Sequence, residues 1–415
     1  MTLNFPNSPS SGDQFTGSNN YIYEYDGEKW IFVKLVGGDF SSSAIQDGAV
    51  TTAKIADANV TTAKIADNAV TTVKIADNAV TTVKIADDAV NLDKVAADFP
   101  LGNRNKIING DMRIAQRGAP TGTDTYPVDR FRQASNTEGA YTFAQETTDV
   151  PTGFNYSLKA TVTTADGTIG ADNGLVLLQK IEGNDTADLL FGTANAKSIT
   201  ISFWVKSSVA GVYCVTLRNG ADDRTFVSEY TISSANTWEY KTITVAGDTS
   251  GTWDITTGTG IGLVFCLTGG ANKQRAAGSW GTFADCSSNQ TQLLQTLNAT
   301  WLVSGVQLEV GTTATPFEYR NFGDELSRCQ RYYEVLRGGG FMQWGTGNYC
   351  GSVGFAVQKR ATPSSVLLQT TIYDFPTTAT WAAVGLTSQG FGVQKSNGST
   401  SFVAIDGTWE ASAEL

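Results

Sequence analysis

Apolar and polar positions alternate along this chain in three different rhythms, and each predicts a different kind of element. The first is a repeat. From Ala49 the sequence reads AVTTAKIADA, NVTTAKIADN, AVTTVKIADN, AVTTVKIADD and a decayed AVNLDKVAAD. Val50, Ile55, Val60, Ile65, Val70, Ile75, Val80, Ile85 and Val90 therefore fall at five-residue spacing. Neither an uninterrupted helix nor a plain strand puts residues five apart on one side. A mixed unit does: the Thr pair caps a single helical turn through Lys and Ile, and the Asp that follows returns the chain extended. Each unit offers two or three apolar side chains, too few to offset roughly 1–2 kcal/mol of backbone entropy per ordered residue. Burial has to come from other copies, and three parallel chains would bring the Val/Ile rows together. A disordered acidic linker is the competing reading, but it leaves the strict register of the β-branched positions unexplained.

The second rhythm is strict alternation. Near the N-terminus Tyr21, Tyr23 and Tyr25 alternate, Asp26-Gly27 is a hairpin turn signal, and Trp30 to Val33 returns. After Phe99-Pro100 alternating runs recur at Leu175 to Ile181, Ile199 to Lys206, Tyr213 to Arg218, Thr237 to Val245, Ile261 to Leu267 and Trp301 to Val310. Gly-, Asn- and Asp-rich turns separate them, as an antiparallel sandwich requires. In KSITISFWVKSS, Ile199, Ile201, Phe203 and Val205 share one face, which leaves Trp204 on the polar face, where an indole can stack on a sugar ring. The third rhythm is helical. NFGDELSRCQRYYEVLRGGG (321–340) predicts one helix, capped by Asp324 and ended by Gly338 to Gly340. Leu326, Cys329, Tyr333 and Leu336 fall at spacings of 3, 4 and 3, a short coiled-coil seam.

Composition narrows the function. The chain has 415 residues, enough for two or three cores, with 43 Gly and only 17% charged residues, which suits β-structure with many turns. The formal charge is −11, with 7 basic against 13 acidic residues in 1–99. No segment carries a basic patch, which argues against nucleic acid and anionic membrane surfaces as partners. Histidine is absent, removing the commonest general base and metal ligand together. The five cysteines are widely spaced and lack any Cys-x-x-Cys, so buried reduced thiols are expected rather than zinc or a disulfide framework. Neither a signal-peptide pattern nor a membrane-length apolar run is visible, so manufacture in a cytosol without membrane insertion is expected. No cofactor is called for, and a structural Ca²⁺ in the sandwich stays open without a motif to support it. The pair Asp222-Asp223 in RNGADDRT reads as a turn rather than a catalytic pair.

Several motifs resemble those of a known family. Ser-x-x-Gly, a Tyr-rich strand, Asp-Gly-x-x-Trp and tandem TTxKIAD decamers are similar to the front end of tail fibres of tailed bacteriophages, including those of cyanobacteria. KIINGDMRIAQRG (106–118), YPVDRFR (126–132), KSITISFWVKSS (197–208) and WLVSGVQLEVGTTATPFEYR (301–320) resemble the jelly-roll domain such fibres share with carbohydrate-binding modules. ELxxCQRYYE, FAVQKRATPSSVLL (355–368) and WEASAEL (409–415) resemble the helix and small β-sandwich tip that follow it. The resemblance implies a mainly β, elongated parallel homotrimer. Residues 1–40 form a virion-proximal attachment hairpin, docked on a tail or baseplate protein. A decapeptide-repeat stalk (41–99) and the jelly roll (100–320) follow. A short coiled-coil helix (321–340) then leads to a receptor-binding tip (341–415).

The expected function is virion adsorption to a host-surface polysaccharide or lipopolysaccharide, without catalysis. A purely structural spacer and a polysaccharide-degrading spike are the alternatives. Within the tip, Trp344 and Tyr349 in the Gly-rich QWGTGNY loop are the first candidates for stacking on sugar, with Trp204 next.

Overall fold

The computed structural model describes residues 3–35, 102–118, 122–338, 349–369, 380–396 and 407–415, together with scattered positions of the repeats between 51 and 86. The chain divides into two compact units, Met1–Ala89 and Val90–Leu415.

In the first unit the aromatic alternation builds a three-stranded antiparallel sheet rather than a lone hairpin: β1 (Gln14–Thr16), β2 (Tyr21–Tyr25) and β3 (Trp30–Leu35). Phe5 stacks on Trp30 at 5.3 Å and meets Phe15 and Tyr23 at 5.1 Å each, which gives the sheet one aromatic face. The Asp-Gly turn forms as its sequence requires. Gly27 takes a positive φ, and the Asp26 carboxylate accepts the amides of Glu28 and Lys29.

In the repeats the single helical turn is present as a 3-10 turn at Thr72–Lys74 and Thr82–Lys84. Each Lys amide donates to the carbonyl of the first Thr of its unit (Thr61, Thr71, Thr81, 2.9 Å). Each Lys Nζ donates to the carbonyl five residues back (Asn59, Ala69, Ala79, 2.6 Å). The Val/Ile row is left in solvent: Ile55, Val60, Ile65, Val70, Ile75, Val80 and Ile85 are 39–55% exposed, and Val73 and Val83 93%. Val50 and Val90 lie outside the described residues.

The second unit is a jelly-roll β-sandwich followed by a smaller two-sheet lobe. Its strands are β4 (Asp124–Val128), β5 (Phe131–Asn136), β6 (Ala140–Glu146), β7 (Ser157–Thr164), β8 (Gly174–Glu182), β9 (Ile199–Ser207), β10 (Gly211–Arg218), β11 (Thr225–Ile232), β12 (Glu239–Val245), β13 (Thr259–Gly269), β14 (Trp280–Gly281) and β15 (Thr300–Val310). They form a seven-stranded sheet, β14-β11-β10-β13-β8-β5-β4, and a five-stranded one, β12-β9-β15-β7-β6. The apolar faces of both sheets meet in one core that includes Phe131, Leu177, Phe203, Tyr213, Phe265 and Trp301. Ile199, Ile201, Phe203 and Val205 all point into it, as their alternation predicts. All six alternating runs named from sequence coincide with strands to within two residues. Cys214, Cys266, Cys286 and Cys329 are buried free thiols. Burial raises the thiol pKa of Cys214 to about 11, which makes it inert.

The predicted 321–340 helix is corrected. Helix α1 runs only over Phe322–Gln330, with Asn321 at its N-cap and Asp324 inside the first turn. The chain then turns and enters β16 (Tyr333–Gly338), so Gly338 ends a strand rather than a helix. The second half of the proposed seam is β-structure because Tyr333 to Gly338 pair in register with Ser412 to Gly407 of β21 (Gly407–Ser412). The seam residues are also committed within the chain. Cys329 packs with Ile108, Ile114 and Tyr332, with Leu326 half-buried beside them, and Leu336 packs with Val353, Phe391 and Trp409. Tyr333 is 3% exposed, under the Arg117 guanidinium at 3.5 Å. A trimer contact through Leu326, Cys329, Tyr333 and Leu336 would have to empty these sites.

The smaller lobe completes the unit with β17 (Tyr349–Gly354), β18 (Ser365–Gln369), β19 (Thr380–Val384) and β20 (Gly390–Ser396), in sheets β16-β21-β18 and β17-β20-β19. It is clasped to the sandwich by charge. Glu182 takes a fork of hydrogen bonds from Arg331 (2.7 and 2.9 Å) and one from the Tyr332 hydroxyl (3.0 Å), while Glu414 pairs with Arg130 and Arg117. Burial alone would raise the Glu182 pKa, but these donors hold it below the ordinary value.

Candidate carbohydrate-binding cleft

The outer face of the five-stranded sheet carries the sequence-predicted Trp204, and the fold gathers aromatic residues around it. Tyr240 of β12 and Ser304 of β15 flank Trp204 directly across the ladder, and Ser202 lies one step along β9 between Thr242 and Gln307. Trp204 and Tyr240 meet at 5.3 Å between ring centroids. Opposite them stand three rings from two loops: Phe154 and Phe317 at 5.2 Å, Phe154 and Tyr319 at 5.5 Å, Phe317 and Tyr319 at 4.9 Å. Between the two groups lies a cleft of about 430 Å³, floored by Ser202 and Gly305 and walled by Thr315 and Pro316. That volume suits one or two sugar rings.

Each wall has a cause. β15 is bulged between Ser304 and Gln307, and Gly305 sits there at φ +63. A Cβ at Gly305 would come within 2.6 Å of the Phe154 ring, so only glycine lets that ring lie against the strand. The loop that bears Phe154 is tied at 149–156. Asp149 pairs with Lys206 at 2.9 Å and accepts the Trp238 indole N–H at 3.0 Å. Ser304 Oγ donates to the Tyr156 carbonyl at 2.7 Å, and Tyr319 Oη to that of Gly153 at 2.8 Å. The second loop is pinned by two buried side chains. Glu309 accepts from the Thr315 amide and hydroxyl, and Gln307 bonds Glu309 and accepts the Glu318 amide. Burial, with the Asp111 charge behind it, raises the Tyr319 pKa, so its phenol stays a neutral donor. Gly305→Ala should cost about 1–3 kcal/mol through its left-handed backbone and the ring clash. A lowered melting temperature together with weakened sugar binding would show that the bulge shapes the cleft.

The exposed surfaces are hydroxyls and ring faces. Tyr240 is 43% and Tyr319 57% exposed, Trp204 is half-buried, and among the described residues no carboxylate, amine or thiol lines the cleft. Flat rings accept the C–H faces of a sugar while phenol, indole N–H and serine serve its hydroxyls. Tyr240, Phe154, Phe317 and Tyr319 were not singled out by sequence. Tyr240 follows from cross-strand register, but the loop aromatics carry no periodic signal. Of the other indoles on this sheet, Trp301 is fully buried in the core and Trp238 donates to Asp149. Of the two tip candidates, Trp344 lies outside the described residues. Tyr349 opens strand β17 rather than sitting in a loop.

No known family model matches the chain, and no curated protein is similar to it by sequence. Solved structures are similar over about half of it. A family 11 carbohydrate-binding module of a Clostridium thermocellum cellulosomal cellulase is 16% identical over 48% of this chain and 97% of its own, with a TM-score of 0.25. The C-terminal family 22 carbohydrate-binding module of Clostridium thermocellum Xyn10B is 10% identical over 52% of this chain and 100% of its own, TM-score 0.28. The enzymatically active domain of bacteriophage CBA120 tailspike protein 4 is 9% identical over 50% of this chain, TM-score 0.27, and the match spans 21% of that chain. What the cleft binds has to follow from its own chemistry.

Proposed function

We propose that this chain is an adhesin of tail-fibre type that attaches a virion to glycan on a host-cell surface, with the Trp204 cleft as its sugar site. The observation that carries the reading is the cleft itself: five aromatic rings and several hydroxyl groups, held by two pinned loops, with no charge among the lining residues. Hydrolysis there would need a pair of carboxylates across the scissile bond, and the lining supplies none, so the chemistry on offer is binding. The exposed Val/Ile row supports the second part of the reading, a parallel homotrimer through the repeats, because a single chain leaves that row 39–55% exposed. Three chains present three clefts, so individually weak sugar contacts become effective together. The N-terminal sheet is then the end that meets the virion.

The test is adsorption of the full chain to host cells, with Trp204→Ala and Tyr240→Ala as the informative variants. Loss of a ring is expected to cost about 0.5–1.5 kcal/mol per site, several-fold in affinity for one cleft and more for the assembly. Melting temperature should hold, since neither ring belongs to the core. Unchanged cell binding by a folded double variant would sink the cleft as the receptor site. Release of oligosaccharide from host capsule would favour the spike alternative.

A further inference from the structure

The aromatic cleft is the first of three hollows of the second unit that share lining residues in series. Tyr319, which belongs to the cleft wall, also lines a second hollow of about 580 Å³ beside the first turns of α1. Asn103 and Arg328 line that hollow and a third of about 530 Å³, to which the 184–188 segment adds Asp185 and Asp188. Each junction has a cause in the fold. Glu318, next to Tyr319 in the chain, accepts the backbone amides of Asn103 and Asn105 at 2.5 and 2.7 Å. That pair of bonds holds the 103–105 segment against the loop that carries Tyr319. The Asn103 side chain then accepts a hydrogen bond from the Arg328 guanidinium at 2.8 Å, which joins the segment to α1.

Past Tyr319 the chemistry changes from stacking to hydrogen bonding, because no other ring lines the second or third hollow among the described residues. Arg328 is half-buried and commits one N–H, to Asn103. Asp324 lies four residues before it on α1 and is exposed, and the two form no ion pair with each other. Asp185 is exposed at the third hollow and has no hydrogen-bond or ion-pair partner for its carboxylate among the described residues. Lys106, by contrast, is held by Asp188 at 2.8 Å. Charge is balanced in the third hollow, with Lys106 and Arg328 against Asp185 and Asp188. A guanidinium with donors to spare and open carboxylates suit a neutral, hydroxyl-rich ligand. Adjacent sugar hydroxyls accept from the one and donate to the other, whereas a polyanion would meet Asp185, Asp188 and Asp324.

We infer that the three hollows form one site for a neutral glycan chain, stacked at Trp204 and Tyr240 and continuing over Tyr319 to hydrogen-bond with Arg328 and Asp185. The inference rests on the cleft as a sugar site and adds the length and charge of what it takes. Three hollows of this size hold roughly four to six sugar residues. The experiment titrates the full chain with size-fractionated β-1,4-gluco-, mixed-linked β-gluco-, β-1,4-galacto- and α-manno-oligosaccharides of roughly two to eight residues, with oligogalacturonides of matched length as the acidic comparison. In at least one neutral series affinity should keep rising from the disaccharide to about the hexasaccharide, and added salt should leave it unchanged. Arg328→Gln should weaken the longer members about tenfold, the usual loss for hydrogen bonds to a charged group, and spare the disaccharide. Asp185→Asn should do the same more mildly, and it carries the test alone if Arg328→Gln lowers the melting temperature. Trp204→Ala should weaken every length. An affinity that levels off at two or three residues overturns the extended site and leaves the cleft standing, as does an unchanged hexasaccharide affinity in both folded variants. Tighter binding of the oligogalacturonides overturns the neutral class. A loss with Arg328→Gln but none with Trp204→Ala counts against the cleft and leaves the hollows beside α1 as the binding site. No binding in any series overturns the inference, and adsorption of Trp204→Ala to host cells then decides the cleft by itself.

Discussion

Replacing Ile65, Val70 and Ile75 together by Asp should take the proposed trimer apart along its repeats. Each of these side chains is 41–55% exposed in the single chain, so the substitutions cost the isolated unit little. In a parallel trimer they would line the axis, and nine carboxylates would be brought together there without partners. Burying an unpaired charge costs several kilocalories per mole even after relaxation, which exceeds what three short apolar side chains per chain can return. Sedimentation velocity should show the mass falling from three chains towards one, or a trimer that frays well below the wild-type melting temperature. Asp67→Asn, at an exposed polar position of the same repeat, is the control and should change nothing. A triple variant with unaltered mass and melting would sink the interleaved Val/Ile axis, and a monomeric wild type would sink the fibre reading with it.

What was legible in the sequence depends on whether one face of an element carried the whole signal. Ile199, Ile201, Phe203 and Val205 alternate cleanly because everything on their face is core, and the same alternation put Trp204 outside. The early strands were harder. In β6 only Phe143 is buried of seven residues, so an edge strand with little to bury leaves almost no pattern. β11 had a readable one: Val227, Tyr230 and Ile232 are buried, and β-branched and aromatic enrichment could have found it. At 321–340 the spacing of Leu326, Cys329, Tyr333 and Leu336 satisfied a helix. The strand that replaces its second half buries a charged residue, Glu334, at 1% exposure, and this hid the alternation. The cleft was half legible. Tyr240 joins Trp204 only through strand pairing, and Phe154, Phe317 and Tyr319 arrive through a bulge at Gly305 and loop anchors at Asp149, Gln307 and Glu309. None of these leaves a mark in local periodicity.

The buried Glu334 also sets the largest stability effect expected in the C-terminal lobe. Its partner is Lys359, 1% exposed, whose ammonium lies 2.5 Å from the carboxylate and also donates to the Gln330 carbonyl. The Ala356 amide gives Glu334 a further hydrogen bond at 3.1 Å. Burial pulls the Lys359 pKa below its ordinary value, and the Glu334 charge opposes that pull. The pair therefore ties α1, β16 and the 355–364 segment to one point beside the Leu336, Val353, Phe391 and Trp409 cluster. Lys359→Met should cost about 3–5 kcal/mol, because it leaves a carboxylate buried without its counter-charge. Glu334→Leu combined with Lys359→Met should recover much of that loss, since two apolar groups of similar volume need no partner. Hydrogen exchange at the β16 and β21 amides is the measurement, because it reads opening of this lobe separately from the sandwich and the repeats. Fast exchange in the single variant and slower exchange in the double one are expected. Wild-type protection in Lys359→Met would mean that Glu334 finds water or another donor, and that the lobe is held by its apolar cluster alone.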